Sequence, residues 1–196
     1  LCPSAARFEG EFIAMTLDLM HAAAARSAGH DPVGMMTGGG TASILQAMLA
    51  YRDHAAKYRS IDRPNVVRPS TAHPAFAKAA HLFGMELRTI PVDPQTTLVD
   101  PERLAEEIDA NTVAIIGSAG NYPYGTIDPI ADLGALALER GVGLEADDGL
   151  LVAMGVIDVA SGVAHDTRDG LGVHIEDAPL LALLAGDALQ ALAFGV

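Results

Sequence analysis

The chain has a single cysteine, Cys2, in 196 residues, so no disulfide can close within it and the fold needs no oxidising compartment. Lysine is almost as scarce, with only Lys57 and Lys78 carrying a side-chain amine. Basic residues are outnumbered by acidic ones, 12 against 25, for a formal net charge of −13. That balance repels phosphate backbones and anionic membrane surfaces, which excludes nucleic acid as an expected partner. Long apolar runs are missing too. The most apolar stretches, 150–156 and 180–196, are interrupted by Gly or Asp and fall short of the roughly 20 apolar residues of a membrane span. No basic segment followed by an apolar run opens the chain, so no signal peptide is expected and the expected compartment is the cytoplasm. No metal site is expected.

What remains is the composition of a folded domain, half hydrophobic and only 19% charged, long enough to bury a core. From Pro3 the residues Phe8, Phe12, Met15 and Leu19 recur at helical spacing, and core packing accounts for that stripe. Beyond Gly29 short apolar runs alternate with amphipathic segments. Strands are predicted near 65–68, 86–90, 112–118 and 143–146, and helices over 42–58, 74–83, 101–108 and 129–140. Asp100 followed by Pro101, and Pro74 after His73, mark helix starts. The alternation implies an α/β fold, a mainly parallel (mixed) sheet flanked by helices. Three parts are expected: an N-terminal helical segment over 1–30, an α/β domain over 31–149, and a divergent apolar tail over 150–196.

Four features at predicted strand ends could carry chemistry. Thr37-Gly38-Gly39-Gly40-Thr41-Ala42-Ser43 joins a strand to a helix. Its glycines let backbone N–H groups approach a ligand, and the helix start supplies free donors suited to phosphate. A tight turn that binds nothing is the plainer reading. It is neither a dinucleotide fingerprint nor a Walker loop, because no Lys follows the glycines. In Ser70-Thr71-Ala72-His73-Pro74, His73 could stack on a planar ring, relay a proton or simply cap a helix. The segment from Gly117 to Asp128 is a Gly- and Pro-shaped turn that presents polar side chains, or an ordinary loop. Asp147 ends a buried strand, where a carboxylate needs a partner such as a cationic ring nitrogen, an arginine or a helix N-terminus.

Taken in order, the four features resemble the sphingosine-1-phosphate lyase and group II pyridoxal-phosphate-dependent decarboxylase family. The likeness lies in Thr37-Gly38-Gly39-Gly40-Thr41-x-Ser43-Ile44, in Thr71-Ala72-His73-Pro74-Ala75-Phe76-x-Lys78-Ala79-Ala80, in Gly117-Ser118-x-x-x-Tyr122-Pro123-x-Gly125-x-Ile127-Asp128 and in Gly143-Leu144-x-x-Asp147. It runs from about Pro3 to about Gly149.

The resemblance implies the large domain of a fold-type I enzyme, a homodimer, with pyridoxal 5'-phosphate as cofactor and a small amine or amino acid as substrate. It implies that Gly40, Thr41 and Ala42 hold the cofactor phosphate. His73 would stack on the ring and Asp147 would pair with the ring nitrogen, both as catalytic residues. Ser118 and Asn121 would line the substrate side. The reaction implied is carbon–carbon cleavage, by decarboxylation or by retro-aldol cleavage of a phosphorylated amino alcohol.

The chain departs from the family in two respects. Glu145 stands where relatives carry a His, and Asp148-Gly149 follow the aspartate. The Schiff-base lysine is not found: the nearest echo, Ala164 to Gly172, has Arg168-Asp169 where His-Lys is expected. An arginine stays protonated and cannot serve as the amine nucleophile. Weak or absent turnover is therefore expected, with the family's C-terminal domain absent from the chain. A non-catalytic phosphate-binding or interaction protein on the same fold is the alternative.

Overall fold

The computed structural model describes residues 2–19, 22–27, 33–147 and 156–158. Helices α1 (Pro3–Leu19) and α2 (Ala22–Ser27) precede strand β1 (Gly34–Met36) and helix α3 (Gly40–Tyr58). Then come β2 (Asn65–Pro69), α4 (Pro74–Phe83), β3 (Glu86–Ile90), α5 (Pro101–Glu106) and β4 (Thr112–Ser118). The series ends with α6 (Ile130–Arg140), β5 (Gly143–Asp147) and β6 (Val156–Asp158). Four strands form one sheet in the order β3-β2-β4-β5, every pair parallel. The antiparallel pair is separate: β1 against β6, with Met35 opposite Ile157. Apart from β6, the tail over 150–196 lies outside the described residues.

All seven residues of β4 are buried, as a central parallel strand with both faces covered requires. Successive side chains alternate across the sheet. Val66 and Ile116 pack with Ile44, Met48 and Tyr51 of α3 and Phe76 of α4. Their neighbours Val67 and Ile115 pack on the opposite face with Leu104 of α5 and with Leu133 and Ala137 of α6. Gly117 is explained by this second layer. A Cβ there would stand 2.8 Å from both Ile130 Cδ1 and Leu133 Cδ1, so the glycine lets the α6 side chains lie close on β4.

Helix α3 runs antiparallel to the sheet. Its C-terminal Arg59 donates through Nη1 to Thr112 O at the start of β4 (3.2 Å), and Tyr51 Oη donates to Leu144 O on β5 (3.1 Å). From Tyr51 back to Gly40 is about 16 Å of helix, and from Leu144 forward to Asp147 about 10 Å of strand. The N-terminus of α3 therefore reaches the carboxyl edge of the sheet. The helix begins two residues earlier than the expected 42, because Ser43 N donates to Gly39 O (3.0 Å) and closes the first turn on Gly40. Helix α5 stops before the expected 108. Its last N–H groups turn to i−3 carbonyls, and Asp109 then takes Asn111 N (2.8 Å).

The stripe on α1 does not become core among the described residues. Phe8 is 68% and Met15 55% exposed, because among the described residues α1 packs mainly on β1 and α2 and no helix layer covers this face. The expectation of core packing is corrected accordingly.

Asp109 ties the amino edge of the sheet. Its carboxylate accepts from Asn65 Nδ2 on β2, from Arg88 Nη2 on β3 and from Asn111 N, each at 2.8 Å. The hydrogen bonds from Asn65 and Arg88 hold its carboxyl down to about 2. A carboxyl that is a stronger acid in the native chain than in the unfolded one adds stability above its ordinary value, and that stability is lost as pH falls through the native value. Thermal melts should therefore lose stability between pH 3.8 and about 2, and Asp109→Asn should flatten that limb. Both partners are partly exposed, so screening keeps the effect below about 1 kcal/mol. An unchanged acid limb would show that Asp109 is not the group responsible.

Candidate functional site

The carboxyl edge of a parallel sheet is where ligands gather in α/β folds, and four structural elements converge on it here. The first is the start of α3. Gly39 sits at φ 131°, a conformation an L side chain rarely adopts, and no side chain caps the first helical N–H groups. Among the described residues nothing lies within 4 Å of where a Cβ would stand on Gly38 or Gly39, which leaves an open approach to those donors. Thr37 Oγ1 and Ser43 Oγ bond each other (2.8 Å) and brace the loop from beneath. Thr41 is exposed and Gly40 and Ala42 are half-buried at the mouth.

The second is His73, the N-cap of α4. Its Nδ1 accepts from Ala75 N (3.1 Å). The neutral ring is then fixed as the Nε2–H tautomer, with its faces half-buried. The edge of one ring meets the other at 5.7 Å between His73 and Tyr122. Beneath the cap, Thr71 Oγ1 is buried and has no hydrogen-bond partner among the described residues.

The third is the end of β4. Ser118 is fully buried, its Oγ has no partner among the described residues, and its Cα pairs in register with Asp147 on β5. Asp128 secures this corner. It is 2% exposed, accepts Ser118 N on Oδ2 (2.9 Å) and Val99 N on Oδ1 (3.1 Å), and returns its own N–H to Ser118 O (2.9 Å). Burial pushes its carboxyl up, and the two N–H donors partly oppose that. The segment between Ser118 and Asp128 then folds on Asn121, whose Oδ1 accepts Tyr124 N (2.9 Å) while Nδ2 bonds Thr126 Oγ1. Thr97, held at φ 60°, bonds Thr126 Oγ1 (2.8 Å) and straps the β3–α5 connection to this turn.

The fourth is Asp147, the last residue of β5. Its backbone stands beside Ser118, whereas its side chain, Asp148 and the Arg168 region lie outside the described residues. Neither lysine joins the group. Lys57 is in the last turn of α3, about 25 Å along the helix from Gly40, and Lys78 is on the exposed side of α4. Among the described residues no cluster of three or more His, Cys, Asp or Glu could hold a metal, and no helix is long and apolar enough to cross a membrane.

Sequence reasoning singled out Gly40, Thr41, Ala42, His73, Ser118, Asn121 and Asp147, and the backbone brings them to one edge. It missed the work of Asp128 and of Arg68. Asp128 ends the Gly117–Asp128 segment, where nothing local distinguishes it from a surface acid. Arg68, a charge in the otherwise apolar run Val66-Val67-Arg68-Pro69, was the signal for the other.

The chain belongs to the pyridoxal-dependent decarboxylase family, whose conserved-domain model matches residues 2–149. Its architecture, a parallel four-stranded sheet flanked by helices, is that of part of the large domain of fold-type I pyridoxal-phosphate enzymes. Within the family it is similar to sphingosine-1-phosphate lyases. That of Drosophila melanogaster is 41% identical over 147 residues, covering 75% of this chain and 26% of the relative. The solved sphingosine-1-phosphate lyase of Burkholderia pseudomallei is 50% identical with a TM-score of 0.73, over 76% of this chain and 34% of that one. The glutamate decarboxylase domain from Vibrio parahaemolyticus, 22% identical with a TM-score of 0.63, shares the fold. The chain thus spans about a quarter of the length of the curated relatives it matches (26% of the Drosophila protein).

Pyridoxal phosphate is the cofactor of this family, and the described residues fit part of it. An uncapped helix start with open space before it suits a phosphate, and a half-buried imidazole suits a ring face. The buried hydroxyls of Thr71 and Ser118 have no hydrogen-bond partner among the described residues, which leaves polar groups that a bound ligand would satisfy. Among the described residues no lysine stands at this edge.

Proposed function

We propose that this chain is the cofactor-binding part of a pyridoxal-phosphate-dependent carbon–carbon lyase, of the decarboxylase or sphingoid-phosphate aldolase type. The observation that supports it is the convergence of the α3 N-terminus, His73 and the ends of β4 and β5 on one sheet edge. When bound, pyridoxal 5'-phosphate supplies the electron sink for the carbanion left by cleavage. Gly40, Thr41 and Ala42 hold its phosphate through backbone donors and the Thr41 hydroxyl. His73 stacks on the ring, and Asp147 keeps the ring nitrogen protonated. Ser118 faces the substrate side, and Asn121 shapes the turn that closes that side. The substrate is an amine or amino acid.

The working form is a homodimer, and the apolar face of α1 at Phe8 and Met15 is where a second copy would gain most by burial. The acidic balance and lone cysteine favour the cytoplasm. The positions of Lys57 and Lys78 favour a second reading for the isolated chain: it binds the cofactor without a covalent link and turns over weakly or not at all.

A titration with pyridoxal 5'-phosphate, followed by visible absorption, borohydride reduction and mass mapping, tests both. Saturable binding without a lysine adduct is expected. An adduct on Lys57 or Lys78 would overturn the non-covalent reading. Absence of binding would reduce the site to an inherited scaffold and leave an interaction protein.

A further inference from the structure

We propose that Arg68 is an oxyanion receptor of this site, with the Nε–Nη2 edge of its guanidinium taking a carboxylate or phosphate group of the bound ligand. The inference deepens the cofactor reading and depends on it only for where the ligand sits.

The opposite side of the guanidinium is already used. Nη1 donates to Ala72 O (3.3 Å) and His73 O (3.5 Å), which holds the planar group beneath the His73 turn. Nε is buried without a partner, and Nη2 makes no hydrogen bond among the described residues. These two N–H groups point side by side from one edge, the geometry that matches two oxygens of a carboxylate or phosphate. Among the described residues no acid pairs with them. The ion pairs of the described residues involve Arg7, Arg52, Arg88 and Arg140, each elsewhere.

Position favours an anionic ligand. Arg68 is two residues beyond Val66, so it projects from the sheet face covered by α3 and α4. That face and edge also receive the N-terminus of α3. On the adjacent strand Ser118 occupies the same face, two residues past Ile116, with its hydroxyl unpartnered. Burial depresses the Arg68 guanidinium from its ordinary value, the mark of a cation stripped of water without a counter-charge in return. A half-buried, unpaired cation costs folding stability, and an arriving anion would offset that cost.

The test uses 15N-labelled chain, with inorganic phosphate, acetate and pyridoxal 5'-phosphate as separate probes. The Arg68 Nε–H resonance, assigned by its loss in Arg68→Lys, should shift saturably with phosphate or acetate. The same variant, which keeps the charge and loses the fork, should raise the Kd for that probe about tenfold or more. A response to phosphate alone assigns the edge to a phosphate group, whereas a response to acetate after loading with pyridoxal 5'-phosphate assigns it to a substrate carboxylate. Should Arg68→Lys fail to fold, the wild-type resonance and Arg68→Gln give the same readout. A resonance that moves with neither probe overturns the receptor even if pyridoxal 5'-phosphate binds. Movement with phosphate while pyridoxal 5'-phosphate fails to bind keeps the receptor and sinks the cofactor reading.

Discussion

Replacing His73 by asparagine should leave thermal stability nearly unchanged while weakening pyridoxal 5'-phosphate binding about tenfold, whereas alanine should damage both. The two roles separate because they use different parts of the ring. Nδ1 caps α4 by accepting Ala75 N, and an asparagine side-chain oxygen is among the best substitutes at an N-cap. Alanine offers no acceptor and should cost about 1 kcal/mol, a fall of roughly 2–4 °C in Tm for a chain of this size. Stacking on a planar ligand needs the ring faces, which neither variant has, and such contacts contribute about 0.5–1.5 kcal/mol beyond the area they bury. Cofactor titration and thermal melts on the two variants decide the matter. If His73→Asn binds pyridoxal 5'-phosphate like the wild type, His73 is only a helix cap and the platform role is lost. The cap also bears on chemistry: with Nδ1 occupied, a proton could move only through Nε2, and protonating Nδ1 would release the α4 N-terminus.

The larger stability effect should come from Asp128. Asp128→Ala strands two buried backbone donors, Ser118 N and Val99 N, each costing about 1–3 kcal/mol when unpaired. The expected loss is about 2–6 kcal/mol. Asp128→Asn keeps one acceptor oxygen and should fall between alanine and wild type. The pH dependence runs opposite to that of Asp109. Burial raises the Asp128 carboxyl, so the native chain holds its proton more tightly than the unfolded one. Its contribution is complete below the ordinary aspartate value and is lost as pH rises through the raised native value. Asp128→Asn should remove that decline. Because Asp128 also anchors Ser118 and the strap from Thr97 to Thr126, the alanine variant should bind pyridoxal 5'-phosphate more weakly than its stability alone explains. Equal losses of stability in the Asn and Ala variants would show that the two hydrogen bonds do not carry the effect.

The alternation of elements was legible along the chain because each rests on local chemistry. The continuous apolar run of β4 marked a strand covered on both faces. Proline at the first helical turn after His73 and after Asp100 marked two helix starts that the structure keeps. The spacing of the glycine loop, the His73 turn and the segment to Asp128 was enough to place the chain in its family, since that order is itself a property of the sequence. The absence of a third lysine was equally plain there.

What the sequence could not contain is which distant residues meet. Strand order β3-β2-β4-β5 and the antiparallel course of α3 are set by long-range packing, and they alone carry the Gly40 turn to the edge where His73 and Ser118 stand. The same holds for the α1 stripe, whose helical spacing implied burial but whose Phe8 and Met15 find no layer to cover them among the described residues. Gly117 read as part of a ligand loop, yet its smallness answers to Ile130 and Leu133, residues that only the fold brings over it. Asp128 and Arg68 were ordinary letters until tertiary structure stripped water from them. Burial then left the carboxylate holding the backbone donors of Ser118 on β4 and Val99 in the β3–α5 connection, and the guanidinium with one edge unpaired among the described residues; local sequence encodes neither, because desolvation is a property of the assembled layers.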